Sequence, residues 1–534
     1  MASEHDVLRG LGFLKVLNMA PELETSITMP QLGIKYRDIA SAGITLLGLY
    51  WFSVIFYRVF LSNLAKFPGP KLAAATGWYE AFFDLRSSNF PDVLRSLHDK
   101  YGPIVRVNPW ELSIRDPEFY NEVYVSAGKR RTNLITNRAG LGMSDALAAT
   151  TTHELHQLRR RALESFFSRL SISRTEPKIQ EEVRSLDDKL RTLAGTGTIV
   201  HLDHAFACIT GDLAALMACG ENPRLLEAPN FNPEWFESLM GILGVVPYVR
   251  NLPWINSILK IVPQPILQRL YPSAAGFRLF HQLSERRIEE VKAHLSGKDE
   301  LQESDKTSVF HHILQSNLPK SEKEPARLES EAFGLLAAGT ITTASTLSLI
   351  TYYILANPTI ENKLREELKD ITAAYPAQLP RWTDLEKISY LTGCIKEGLR
   401  LTRFFRRSPR ISPDHDLQYK QWTIPKNTAI GMSICHMLMD PEVYPDPYKF
   451  IPERWIGNID PRMNRNFVPF TKGSRNCLGL NLAWAQLYLN LGVLFRPGGH
   501  SMSLDCDESD IVLAHDSDVG IPKADSRGLR VRIG

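Results

Sequence analysis

A mainly α-helical body with small β-sheets, preceded by a single N-terminal transmembrane helix, is the architecture this sequence predicts. Three observations carry it. Segments 153–167, 331–355, 359–371 and 390–401 space their apolar residues by three and four, the period of helices with one buried face. Only short runs, 104–107, 111–114 and 422–424, read as strands. Residues 39–57 run without a charge between Asp38 and Arg58.

Composition excludes several classes. At 534 residues, 44% apolar and 23% charged, the chain is globular rather than disordered, collagenous or coiled-coil. With 62 Lys and Arg against 59 Asp and Glu, the net charge of +3 argues against nucleic acid as a partner. Six cysteines without a C-x-x-C pair fit a reducing compartment and no structural zinc site.

The elements follow in order. Residues 1–38 form an N-terminal tail, and 39–57 a membrane anchor about 28 Å long, close to the roughly 30 Å of bilayer hydrocarbon. Arg58, Lys66 and Lys71 follow it with no acid before Glu80, whereas the basic residues ahead of it are offset by acids. The positive-inside bias then places the tail in the lumen and the body in the cytoplasm. Residues 58–72 form a basic hinge stiffened by Phe67-Pro68-Gly69-Pro70. Residues 73–534 show no repeat or linker and read as one domain. Charged segment 296–331 reads as solvated loops and helix faces. Segment 235–267 is apolar and broken into short pieces by prolines 247, 253, 263 and 265, and reads as ordinary core helices or, on the functional reading, as a membrane-dipping entrance for a lipophilic ligand.

The chemistry concentrates in 467–483, Phe-Val-Pro-Phe-Thr-Lys-Gly-Ser-Arg-Asn-Cys-Leu-Gly-Leu-Asn-Leu-Ala, ahead of an apolar helix through Leu494. The helix N-terminus and Arg475, two residues away, are expected to favour the Cys477 thiolate. Gly473 and Gly479 permit close backbone approach to something flat and large, with Phe470 as an aromatic wall. A sheltered thiolate suits a soft metal.

Phe470, Gly473, Arg475, Cys477 and Gly479 spell F-x-x-G-x-R-x-C-x-G, which resembles the haem-binding signature of the cytochrome P450 family. The resemblance implies the P450 fold and haem b (iron protoporphyrin IX), with Cys477 as the axial metal ligand on the iron. Other landmarks come in the family's order. Glu397 and Arg400 stand three apart, and with Arg454 resemble the structural triad that buttresses the haem loop. Ala338-Gly339-Thr340-Ile341-Thr342-Thr343 resembles the oxygen-binding groove, in which Gly339 makes room and Thr342, aided by Thr343, relays protons. The alternative for Thr342 is a hydroxyl bonded to its own helix. Ile341 stands where the family often has an acid. Arg475, His156 with Arg160, and Arg407 are implied partners of the haem propionates. Arg159, Arg161 and Lys472 would form a basic patch for an acidic reductase. Loops 132–149 and 402–408, the latter with Phe404 and Phe405, would border the pocket.

Segments 67–78, 101–117 and 433–455 are similar to filamentous-fungal microsomal members, trichodiene-oxygenase-like enzymes among them. The implied protein is a single-pass endoplasmic reticulum monooxygenase taking NADPH electrons from NADPH-cytochrome P450 reductase, with cytochrome b5 as a further partner. It would hydroxylate or epoxidise a lipophilic secondary metabolite, a sesquiterpene or other terpenoid or polyketide intermediate. Two alternatives are a haem-thiolate isomerase or dehydratase needing no dioxygen, and a non-catalytic haem- or lipid-binding membrane protein.

Overall fold

The computed structural model describes residues 36–534 apart from 88, 135–142, 253, 263–265, 267–268, 270–283, 292, 294–307, 403–407 and 517–519. Most of the expected lumenal tail, Arg407, Phe404, Phe405 and the centre of loop 132–149 lie outside the described residues. The chain divides into two units, Met1–Ser62 and Asn63–Gly534.

In the first unit, α1 (Tyr36–Phe56) runs into a π-helical turn, Tyr57–Leu61. Together they give 26 residues containing an 18-residue stretch of mean hydropathy 1.8, and no residue of α1 is buried. The helix outruns the predicted 39–57 at both ends. Charges at Asp38 and Arg58 end an apolar run without ending helical hydrogen bonding, and an acid in the first turn favours the helix.

The second unit is mainly helical with small sheets. Its first long helices include α2 (Trp78–Ser87) and α3 (His153–Glu164). Helix α3 stops short of the predicted 167 because Ser168 caps the next helix, α4 (Arg169–Leu193), accepting the Ser171 N–H. Buried Ile172, Ile179, Val183, Leu186 and Leu190 give α4 its inward face. Helix α5 (Leu202–Cys219) is buried almost throughout.

Helix α6 (Pro233–Asn251) overturns the expectation that proline breaks this region at 247. Pro247 lies inside the helix, and the break comes at Leu252. An interior proline costs about 3 kcal/mol, but each fully buried large apolar side chain contributes about 1.5–3 kcal/mol. Leu239, Ile242, Leu243 and Val246 are all buried and outweigh the missing N–H.

Helix α7 (Pro325–Leu355) begins six residues before the predicted 331, with Pro325 at its first position, where no N–H partner is needed. Helices α5 and α7 are long and apolar enough to cross a membrane, yet both are packed into the body's core. Helix α8 (Ser389–Leu401) falls within a residue of expectation, and α9 (Leu480–Leu494) matches it. Helix Pro358–Leu368 ends three residues before the predicted 371.

The largest sheet orders its strands Ile104–Asn108, Glu111–Ile114, Ala429–Gly431, Arg410–Ile411 and Thr132–Asn133. Only the second and third run parallel. Its register sets Arg410 opposite Asn133 and Ile430. The main core gathers apolar faces of α4, α5, α7, α8 and α9, so α7 and the loop entering α9 are held by one body.

Candidate active site

The loop before α9 is shaped by its backbone. Thr471 and Gly473 take positive φ, +57° and +78°. A Cβ on Gly473 would meet the Val125 and Tyr124 carbonyl oxygens at 2.4 and 2.5 Å, so glycine alone fits. The Ser474 N–H donates to the Val125 carbonyl at 2.9 Å, and the Cys477 N–H to the Phe470 carbonyl at 3.0 Å. The Phe470 ring lies 6.1 Å from Trp484 on α9. Cys477 sits deep in the body yet is accessible, so it faces an open cleft. The space where a Gly479 Cβ would project is empty to 4 Å.

The electrostatics correct one expectation. Burial raises the Cys477 pKa, outweighing the hydrogen bond at Gly479 and the charge of Arg160. Arg475 is not the helper. Its guanidinium turns away and donates to the carbonyls of Thr150, Thr151 and Thr152 at 2.6, 2.9 and 3.0 Å. A bound metal would itself favour the thiolate.

Around this loop lies a cluster of arginines with a neutral histidine, His156, among them. Arg475 is within ion-pair distance of no carboxylate among the described residues, and its Nε has no hydrogen-bond partner there. Burial, then Arg410, lowers its pKa to about 9. His156 has a buried, unpartnered Nδ1, and burial, followed by Arg475, Arg160, Arg410 and His153, lowers its pKa to about 2. Arg160 donates to the Asn476 carbonyl at 2.8 Å and to Asn476 Oδ1 at 2.6 Å, bracing the residue before Cys477. Sequence reasoning missed Arg410, which bonds Asn133 Oδ1 at 2.9 Å and lies 5.1 Å over Tyr124. Three arginines at 406, 407 and 410 were the available signal, and sheet register distinguishes the third.

A soft sulfur ligand, an open face over Gly479 and buried cations around Arg475 fit a flat, metal-bearing, anionic group. Haem, with iron and two propionates, has that chemistry.

The three residues of the expected triad meet. Glu397 and Arg400 are completely buried, with Arg400 Nε and Nη2 donating to the carboxylate at 3.0 and 2.7 Å. Arg454 Nε donates to Glu397 at 2.9 Å. The carboxylate also accepts Trp455 Nε1 at 2.8 Å and the Ile451 N–H at 3.1 Å, two donors that sequence did not reveal. Arg400 reaches the carbonyls of Leu438 and Lys449, both at 3.1 Å.

On α7, exposed Ala338 and half-buried Thr342 border open space. Thr342 Oγ1 donates to the Ala338 carbonyl at 2.8 Å, the helix back-bond weighed as its alternative. Thr343 is buried. Gly339 does not open the cleft as expected. A Cβ there would stand 3.2 Å from Ala214 Cβ, so the glycine serves close packing of α7 on α5. Ile341 lines a separate cavity of about 50 Å³ with Asp203, Ser345 and Asp510.

The expected basic patch loses a member. Arg159 is buried and grips Glu322 at 2.7 and 3.0 Å, leaving exposed Arg161 and half-buried Lys472. Glu322, Arg327 and Glu331 are buried too, so the end of 296–331 is not a solvated face.

Comparisons with known proteins agree with this geometry. The family model described as Cytochrome P450 matches residues 71–497. Cytochrome P450 monooxygenase sdnH of Sordaria araneosa is 44% identical over 507 residues, covering 91% of this chain and 93% of its own. Stellatic acid synthase of Emericella variicolor is 40% identical, covering 92% and 94%. Fusicoccadiene C-8 hydroxylase of Phomopsis amygdali is 40% identical, covering 90% and 93%. On the family match and these relatives, this chain belongs to the cytochrome P450 family, as a monooxygenase of the fungal secondary-metabolite type.

Proposed function

We propose that the protein holds haem b on the Cys477 thiolate and inserts one oxygen atom into a lipophilic terpenoid intermediate by hydroxylation or epoxidation. The observation that carries the haem assignment is Arg475, half-buried beside the buried Arg160 and Arg410, with no carboxylate partner among the described residues and close to a sulfur ligand. Arg475, His156 and Arg410 would receive the propionates, while Arg160 fixes Asn476 and thereby the thiolate. Arg407 remains a further candidate partner. Phe470, Gly473 and Gly479 shape the loop against the ring, and Glu397, Arg400 and Arg454 hold the frame behind it. When bound, the haem supplies dioxygen activation, the thiolate pushing electron density toward O–O cleavage.

The protein's own task is to bind, orient and deliver protons. Thr342 Oγ1 is tied to the Ala338 carbonyl, so it hands a proton into the cleft only by rotating out of that bond. With Ile341 in place of an acid, water must resupply it. Thr343, buried, supports the helix from its packed side. Support for a terpenoid substrate comes from the relative whose name records hydroxylation of fusicoccadiene at C-8.

The N-terminal helix is the proposed anchor of a single-pass endoplasmic reticulum protein, with 1–38 lumenal, 58–72 a hinge and 73–534 cytoplasmic. Exposed Trp78 and Phe82 on α2, and exposed Tyr248 near the end of α6, supply apolar surface for lipid contact. Buried Asp84 ties α2 to Arg250 and Asn251 of α6 at 3.0 and 3.1 Å, holding both helices on one side. Electrons come from NADPH through NADPH-cytochrome P450 reductase, with cytochrome b5 as a second donor, at the face carrying Arg161 and Lys472.

Optical titration of the membrane-bound protein with terpenes, polyketides and sterols tests substrate class. Saturable Soret shifts and NADPH-dependent oxygenation confined to terpenes are expected. Turnover without NADPH or dioxygen would overturn the oxygenase reading of the substrate step.

A further inference from the structure

Four buried charges form a continuous relay between α3 and the start of α7. Arg159 Nε donates to Glu322 at 2.7 Å, Arg327 Nε to the same carboxylate oxygen at 3.0 Å, and Arg327 Nη2 pairs with Glu331 at 2.7 Å. Two guanidiniums balance two carboxylates, and no side chain of the four is more than 9% exposed.

The last carboxylate has a second task. Glu331 Oε2 accepts the Leu147 N–H at 3.0 Å, and the neighbouring Ser330 Oγ accepts the Asp145 N–H at 3.0 Å. One turn on, Gly334 gives this segment its seat. A Cβ there would lie 3.2 Å from Ala146 Cβ and 3.8 Å from Met143 Sδ. Beyond Leu147, Arg159 Nη1 holds Thr150 Oγ1 at 2.8 Å, and the carbonyls of residues 150–152 hold Arg475. Segment 143–152 is thus gripped by α7 at one end and by the Cys477 loop at the other. Gly334 precedes Ala338 and Thr342 by one and two turns on the same side of α7, so the segment continues the cleft bordered by those residues.

We propose that Glu331, with Gly334, is a positioning residue that seats segment 143–152 as a wall of the substrate cleft. The segment's position then decides how much room a bulky ligand has beside the haem. This rests on the haem-thiolate reading and adds to it an assignment for residues that touch neither haem nor Cys477. The relay is the fixed point: Glu331 keeps the wall in place only while Arg327 balances its charge.

The test uses full-length, haem-loaded protein and two iron-ligating probes, imidazole and the triaryl imidazole clotrimazole. Glu331→Gln retains an acceptor for the Leu147 N–H but cannot pair with Arg327. Gly334→Ala pushes the wall outward without touching a charge, and alanine favours the helix. Each variant should change the clotrimazole Kd at least fivefold, leave imidazole within twofold and keep the thiolate-type reduced carbon-monoxide band. If Glu331→Gln fails to take up haem, Gly334→Ala decides alone. An unchanged clotrimazole Kd in Gly334→Ala, or an equal change for both probes, overturns the proposal. Absence of the thiolate band in the unaltered protein would instead fail the haem-thiolate reading.

Discussion

Arg400 is fully buried and Arg475 half-buried, and the two arginines differ in what surrounds them. Arg400 is paired face to face with Glu397, whose carboxylate also takes Arg454 and Trp455. Among the described residues, Arg475 has only peptide carbonyls for its terminal nitrogens, with other arginines nearby. Burying a charge without a counter-charge is costly, so the first cluster is complete in the protein alone, while on the proposed function an added anion completes the second. On the proposed function, one region is frame and the other is a receptor.

The largest effect is expected in the frame. Arg400→Ala leaves Glu397 buried with part of its compensation gone, a loss of about 3–5 kcal/mol. Urea unfolding should show that loss whether or not haem is present. A loss confined to the haem-loaded protein would break the comparison.

Arg475→Leu should do the reverse. Removing a half-buried cation with no carboxylate partner among the described residues leaves apoprotein stability little changed. Losing charge-assisted hydrogen bonds to a carboxylate, worth about 1.5–3 kcal/mol, should weaken haem binding roughly tenfold to a hundredfold. Haem transfer to an acceptor globin measures this. Equal destabilisation of apo- and holoprotein would make Arg475 another part of the frame.

A third expectation sharpens the contrast with acids far from the site. Burial, then the charge of Asp212, raises the Glu182 pKa to about 7, despite a hydrogen bond from Asn222. The folded form then keeps a proton that the unfolded form releases near its ordinary pKa of about 4.3. Stability should therefore fall as pH rises from about 4 to 7, and Glu182→Gln should flatten that slope by on the order of 2 kcal/mol. Thermal melts between pH 5 and 8 measure it. A variant with the slope of the parent would contradict the assignment.

The smallest structural effect belongs to Thr342→Ala, which removes one helix back-bond and should leave stability nearly unchanged. Peroxide released per product formed should rise. An unchanged ratio would remove Thr342 from proton delivery.

Much of the frame was legible in sequence because its parts are local. The E-x-x-R spacing puts Glu397 and Arg400 on one helical face, and the F-x-x-G-x-R-x-C-x-G run contains its own positive-φ glycine and its cysteine. What escaped was set by partners distant in the chain. Arg159 reads as surface until Glu322, 163 residues away, is found against it. Gly339 reads as an opening until α5 arrives beside it. Arg410 cannot be separated from Arg406 and Arg407 until strand register fixes its side. Pro247 reads as a break because the packing that overrides it comes from other helices.

The central claim is that Cys477 is a haem-iron ligand within a receptor completed by an anionic cofactor. Reduced carbon-monoxide difference spectra of the parent and Cys477→Ser test it most directly. The parent should give the thiolate-type Soret band and the variant should lack it. A thiolate-type band surviving in Cys477→Ser, or no haem band in correctly folded parent protein, would contradict the account.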